Sequence, residues 1–320
     1  FIQQLSSIEW LKEIDPETQL ILVGGSFRAL GKISKIVKKS PYPIIHNYHI
    51  QSEEFVDIYN RLKAMDLDKK KRIKGVSSSR ADILPSALAV LQSVIGYCGF
   101  NEIVVSGCGL REGLMFNYAM PSTFEKPISD VLGYSLKTLV KNYGCNEKHV
   151  EQVLNICIQL FKQLRVLHKF PRQHMRILKV AAMLHDSGAS IKYYDYQKHS
   201  SYITLNSALY GISQREIVLA ALVISVYKND DFSMSELVKY KEFITEADVE
   251  VIRKLGVMLR IAESLDRSMS GCVTGIVCDV LGDSVIMKTE LAGDASLEIK
   301  EAKTVAQDFK RIFKKNLDIL

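Results

Sequence analysis

No stretch of the chain strings together the roughly 18 apolar residues that a membrane-crossing helix requires. No basic-then-apolar leader opens it either, so no membrane partner and no secretory route are expected. None of the six cysteines (Cys98, Cys108, Cys145, Cys157, Cys272 and Cys278) stands in a C-x-x-C pair, which removes a zinc ribbon from consideration. A chain of 320 residues is too long to need disulfide staples, so reduced thiols and a cytoplasmic compartment are expected. Internal repeats and low-complexity tracts are missing too. The first residue is Phe1 rather than methionine, and the expectation is a processed chain or a fragment of something longer.

What is present has the balance of a folded soluble protein, with 47% apolar and 24% charged residues. The length suits about two domains of ordinary size. The net charge of +6 is unevenly placed: residues 1–125 carry +2, residues 126–212 carry +7 and residues 213–320 carry −3. A local cationic surplus favours a polyanion, whether nucleic acid, a phosphorylated nucleotide or polyphosphate. The plain alternative is a solvated lysine-rich surface.

Three segments differ in pattern. Residues 1–125 read as α/β: the apolar run Leu20–Val23 ends at Gly24-Gly25, as a buried strand does before a helix. Ser26 is placed to cap that helix, which runs through Ile33 and Ile36. A short strand is expected at Ile44–His49, a helix from Ser52, a charged connector at Asp66–Lys74, an apolar helix at Pro85–Tyr97 and a second buried strand at Glu102–Ser106. Residues 126–268 carry only helical stripes, such as Val150, Val153, Cys157, Leu160 and Leu164, or Ile252, Leu255, Leu259 and Ala262. Residues 269–320 read as a hairpin (Val273–Val280 and Val285–Leu291), a third strand at Ser296–Ile299 and an amphipathic helix through Val305, Phe309, Ile312, Phe313 and Leu317.

Chemistry gathers in three places in the α/β segment. Gly24-Gly25-Ser26-Phe27-Arg28 stands where a strand enters a helix; glycines there let the backbone approach a ligand, and a helix N-terminus favours an anion. Three serines precede Arg80, a residue able to grip phosphate through two nitrogens. Ser106-Gly107-Cys108-Gly109-Leu110-Arg111-Glu112 crowds a second strand exit with glycine. Structural alternatives are tight strand-to-helix packing, an Arg80–Asp82 surface turn and an Arg111–Glu112 loop tie.

The order of these pieces resembles the exopolyphosphatase / guanosine pentaphosphate phosphohydrolase family (Ppx/GppA), within the actin-like phosphotransferase superfamily. Ala181-Ala-Met-Leu-His185-Asp186, Lys198-His199 and Leu259–Arg267 are similar to the helical HD-type domain of its long members. The resemblance implies the remainder of the second actin-like (ribonuclease H-like) domain at 1–125, with the first such domain lacking, an HD-like helical domain at 126–268 and a small α/β domain at 269–320. It also implies Mg²⁺ as cofactor, polyphosphate or guanosine pentaphosphate rather than nucleic acid as partner, and a homodimer. Water would attack a terminal phosphorus, activated by a carboxylate base. The family's Asp-x-Gly-Ser-Asn and Asp-Gly-Gly-Gly-Ser-Thr-Glu phosphate loops and its catalytic glutamate have no counterpart in this sequence, so most of the catalytic centre is expected on residues outside it. Arg80 and Arg111 are then the expected phosphate contacts, with Gly24, Gly25 and Arg28 lining the pocket.

Two further expectations concern the helical segment. Metal-dependent HD phosphohydrolases use a histidine, a His-Asp pair and a later aspartate, and His149, His185, Asp186 and Asp266 are candidates for a divalent metal. The alternative is a set of buried polar groups satisfied by helix ends. His168 and His174 are expected on the surface. Lys162, Arg165 and Lys169, then Arg172, Arg176 and Lys179, recur at helical spacing and would form two basic faces, a track for a long polyanion. Three functions are thus open: part of a phosphate-chain hydrolase, a metal-dependent nucleotide phosphohydrolase, or a binding module for polyphosphate or a guanosine alarmone without turnover.

Overall fold

The computed structural model describes residues 1–15, 17–121, 127–229 and 232–320. They belong to two units, Phe1–Lys126 and Pro127–Leu320. In the first, the β-branched runs become strands β1 (Leu20–Leu22) and β3 (Glu102–Val105), which pair in parallel with Leu22 opposite Val105. Strand β2 (Tyr48–Gln51) pairs with β3 from the other side, antiparallel, so the order is β1-β3-β2. The expected strand at Ile44–His49 is displaced because Asn47 takes a left-handed φ of 55°, which breaks an extended run. Helices α1 (Gly25–Lys38), α2 (Ser52–Ala64) and α3 (Leu84–Cys98) supply Leu30, Phe55, Leu84 and Leu88 to a core shared with Ile50, Ile103 and Val105. Helix α4 (Leu110–Ala119) follows β3 and buries none of its residues. The α1 cap is Gly24, with no side-chain hydrogen bond, rather than Ser26.

The second unit opens with α5 (Val131–Asn142), α6 (Glu147–Gln163), α7 (His174–Leu184), α8 (Tyr196–Asn206), α9 (Gln214–Val226) and α10 (Glu246–Ser264). The stripe from Val150 to Leu164 is wholly buried. Helix α9 is buried on all sides from Ile217 to Ile224, as a central helix must be. Next come β4 (Val273–Leu281) and β5 (Ser284–Leu291), an antiparallel hairpin turned at Gly282-Asp283.

The expected third strand at Ser296–Ile299 is instead helix α11 (Ser296–Thr304). Asp294 accepts from Ser296 N at 3.0 Å to start it. Glu298 and Ala302 are its buried residues, continued by the flanking Ala295 and Val305 in steps of three or four; the charge of Glu298 masked that stripe. Helix α12 (Ala306–Phe313) stops at Lys314, left-handed at φ 58°, so Leu317 leaves the expected helix. It joins strand β6 (Asn316–Ile319), which runs parallel to β5 with Leu317 opposite Val285. The free edge of β4 is covered by glutamines of α6. Gln159 accepts from Ile276 N at 2.8 Å, Gln163 accepts from Cys278 N at 2.6 Å, and Gln152 donates to Val273 O. A row of side chains on one helical face thus satisfies an edge strand that would otherwise be open.

Candidate functional site

In the first unit, β1 and β3 end in register and each passes the chain to a helix N-terminus. Ligands of α/β sheets bind outside this carboxyl edge of parallel strands. On the β1 side, Gly24 turns the chain with φ 123°, a conformation that favours glycine. The Arg80 guanidinium lies against Gly25: a Cβ placed there would overlap Arg80 Cζ and come within 2.7 Å of both terminal nitrogens. Arg80 is exposed, and its guanidinium makes no hydrogen bond or ion pair among the described residues. Asp82, the partner offered by a surface turn, instead accepts from Ile83 N at 2.9 Å.

On the β3 side, Gly107 N donates to His46 Nδ1 at 3.2 Å, and Gly107 O accepts from Arg28 Nη1 at 2.9 Å. Burial lowers the His46 pKa and keeps that nitrogen an acceptor. Arg28 therefore ties the two strand exits together instead of standing free. Glu112 Oε2 accepts from Gly109 N at 2.8 Å and caps α4. Backbone N–H groups of Glu112 and Gly109, then the charges of Arg111 and Arg28, hold its carboxyl below the usual range. Arg111 is exposed beside it. The cradle thus consists of helix N-termini and guanidinium groups, a donor set for an anion. It does not fit Mg²⁺, which takes oxygen ligands; Glu112 is occupied as a cap.

In the second unit the basic residues do not form two helical faces. Helix α6 ends at Gln163, Arg165 belongs to a separate turn, Arg165–His168, and Lys169 closes that turn in the left-handed region. Arg172 precedes α7. Arg176 donates to Glu216 at 2.9 Å and to Gly211 O, and Lys179 pairs with Asp130 at 3.1 Å. What remains is a groove of about 540 Å³ lined by Lys162, Arg165 and Arg172 with Phe161, Phe170 and Met175. None of the three cations has a partner among the described residues.

His168 organises the groove and is 3% exposed, not a surface residue. Its Nε2 donates to Phe161 O at 2.7 Å and its Nδ1 accepts from Phe170 N at 2.9 Å. Burial lowers its pKa, with the Lys254, His174 and Arg165 charges acting in the same sense. His174, expected on the surface, is half-buried and stacks on Phe170. The aromatic lining had no sequence signal apart from lying within the basic block.

A separate pair of histidines sits at helix ends. His149 lies in the first turn of α6, His185 directly follows α7 and Asp186 follows it. His149 Nε2 is 3.7 Å from one Asp186 oxygen, and His185 Nε2 is 3.7 Å from the other. Of the four candidates, these three converge, with ligand atoms within 4.8 Å of one another. Asp266 does not join them. It stands behind His149, accepting from Nδ1 at 2.8 Å and from Gly271 N at 2.8 Å. Burial alone would lower the His149 pKa, but the Asp266 hydrogen bond and the Asp186 and Asp266 charges raise it. Burial and the Asp186 charge push the nearby Cys145 thiol up to about 11. His199 is half-buried and outside the cluster.

A family model described as Ppx/GppA phosphatase, domain III, matches residues 133–313, and one described as the Ppx/GppA phosphatase family matches residues 8–121. Among curated relatives, the guanosine-5'-triphosphate,3'-diphosphate pyrophosphatase of Aeromonas hydrophila is 25% identical over 190 residues, covering 59% of this chain and 37% of that protein. The protein of that name from Pseudoalteromonas atlantica is 30% identical over 132 residues, 41% of this chain and 25% of its own. The match therefore spans between a quarter and little more than a third of these relatives' length. A crystal structure of the Aquifex aeolicus member of the Ppx/GppA family aligns with a TM-score of 0.32 at 18% identity, over 39% of this chain and 40% of that one, and adds nothing to the fold assignment.

Proposed function

Because the chain belongs to the Ppx/GppA phosphatase family, we propose that it is the phosphate-binding part of a phosphoanhydride hydrolase that removes the terminal phosphate of guanosine pentaphosphate or polyphosphate. The observation that carries this reading is the unpaired Arg80 guanidinium held against Gly25, where two parallel strands end in register. The names of the curated relatives favour the guanosine nucleotide. In this reading, backbone N–H groups at the start of α1 seat a phosphate. Arg80 and Arg111 neutralise charge that grows as the bridging P–O bond lengthens. Arg28 keeps the two strand exits at a constant separation.

The carboxylate base, both phosphate loops and the Mg²⁺ that would neutralise phosphate charge belong to the complete protein, which pairs as a homodimer in the cytoplasm. No described helix is long and apolar enough to cross a membrane. Within the second unit, the groove of Lys162, Arg165 and Arg172 is by itself a binding surface for a polyanion. Calorimetric titration of the chain with inorganic tripolyphosphate and with guanosine pentaphosphate tests the proposal. Binding should weaken at least tenfold in Arg80→Ala, with no enzymatic phosphate release by the chain itself. Equal affinity for Arg80→Ala would make Arg80 a surface turn residue, and turnover by residues 1–320 would place the catalytic centre inside the chain.

A further inference from the structure

Both imidazoles at the helix ends are held in the tautomer that exposes a bare nitrogen to the same point. His185 Nδ1 donates to Ala182 O at 2.7 Å, so its proton is on Nδ1 and Nε2 carries the lone pair. That Nε2 is fully buried and has no hydrogen-bond partner. His149 Nδ1 is bonded to Asp266 in the same way, which turns Nε2 toward Asp186. A buried acceptor left without a donor is costly, so a group that completes it is favoured. Hydrogen bonds to Asp186 do not complete it: the 3.7 Å separations are too long. They are near the edge of about 3.4 Å expected for a tetrahedral site with bonds of about 2.0–2.1 Å.

We infer that His149 Nε2, His185 Nε2 and Asp186 bind one divalent first-row transition ion. Two imidazole nitrogens with one carboxylate suit such an ion and disfavour Mg²⁺ and Ca²⁺, which take oxygen ligands. Asp266 and the Ala182 carbonyl are the outer partners that orient the rings, as metal-bound histidines require. Solvent reaches the cluster at Asp186, whose side chain is 16% exposed against 3% and 0% for the two histidines, so the remaining coordination position lies on that side. The ion would tie the start of α6 to the end of α7 and, through Asp266, to the end of α10. The site lies wholly within residues 127–320 and does not depend on the phosphate cradle.

The test uses the purified 320-residue chain, stripped of metal and given Zn²⁺ or Co²⁺, with Mg²⁺ as the comparison. Metal analysis after gel filtration should find one Zn²⁺ per chain and no retained Mg²⁺. The Co²⁺ spectrum should show nitrogen and oxygen ligation without thiolate charge-transfer bands. Zn²⁺ should raise the melting temperature of the wild type but not of His185→Ala or His149→Ala. Asp266→Asn should keep the site with affinity lowered roughly 10- to 100-fold. Should His185→Ala fail to fold, Asp186→Asn and the wild-type Co²⁺ spectrum still decide. No retained Zn²⁺, thiolate bands, or undiminished binding by Asp186→Asn would overturn the assignment.

Discussion

Replacing Gly25 by alanine separates the anion cradle from the fold that carries it. Only Gly24 of the pair has positive φ, so an alanine at 25 meets no backbone strain. In a helix, alanine is favoured over glycine by roughly 0.5–1 kcal/mol, and less at the first position. The new methyl group would overlap Arg80 Cζ. That atom is the far end of an exposed side chain, which swings aside at little cost. The substitution thus displaces the guanidinium without removing it. A charge-assisted hydrogen bond contributes about 1.5–3 kcal/mol, and an exposed contact belongs near the lower figure. Affinity for inorganic tripolyphosphate should fall roughly tenfold, while the melting temperature stays level or rises. Gly24→Ala should do the reverse to stability, because a non-glycine residue at φ 123° costs on the order of 1–3 kcal/mol. Titration calorimetry at low salt, paired with a thermal melt, reads both effects. A stable Gly25→Ala chain that binds tripolyphosphate as tightly as wild type would refute the placement of Arg80 over the anion.

Burial lowers the folded-state pKa of His168, so the unfolded chain takes up its proton first and stability falls as pH drops below about 6.5. The loss of melting temperature between pH 7.5 and 5.5 should therefore be smaller in His168→Gln; an unchanged loss would mean that His168 titrates freely. Removing either Gln159 or Gln163 leaves a β4 amide without its acceptor, costing about 1–2 kcal/mol in denaturant unfolding. Hydrogen exchange at Ile276 or Cys278 should speed up, and full protection in the variants would show that the edge is covered by other means. Long polyphosphate should bind the chain better than tripolyphosphate at low salt, through Lys162, Arg165 and Arg172, with the advantage shrinking as salt screens the exposed cations. Equal affinity for both lengths at low salt would leave the groove as solvated surface.

Local pattern decided several elements outright. Leu20–Leu22 and Glu102–Val105 are strands, and the stripes at 150–164 and 252–262 face inward, because apolar period follows backbone geometry. Glycine at 24 and 25 marked the turn into α1, since few other residues adopt φ 123°. His149, His185 and Asp186 stood out, together with Asp266, through their resemblance to the HD pattern. Other features needed the folded chain. Glu298 is buried because Ser268 N donates to it from across the fold, and no local pattern announces such a partner. Leu317 pairs with Val285 although it fits the preceding helical stripe, because Lys314 turns the chain. Arg176 and Lys179 lose their expected role to Glu216 and Asp130, acids distant in sequence or outside their helix. Asp266 stands behind His149 instead of joining His185 and Asp186 because its oxygens are bonded to His149 and Gly271, a matter of a few ångströms. Residue type and spacing determine which groups are available and which face of an element they occupy; which atoms meet depends on long-range packing, and that only the tertiary structure decides.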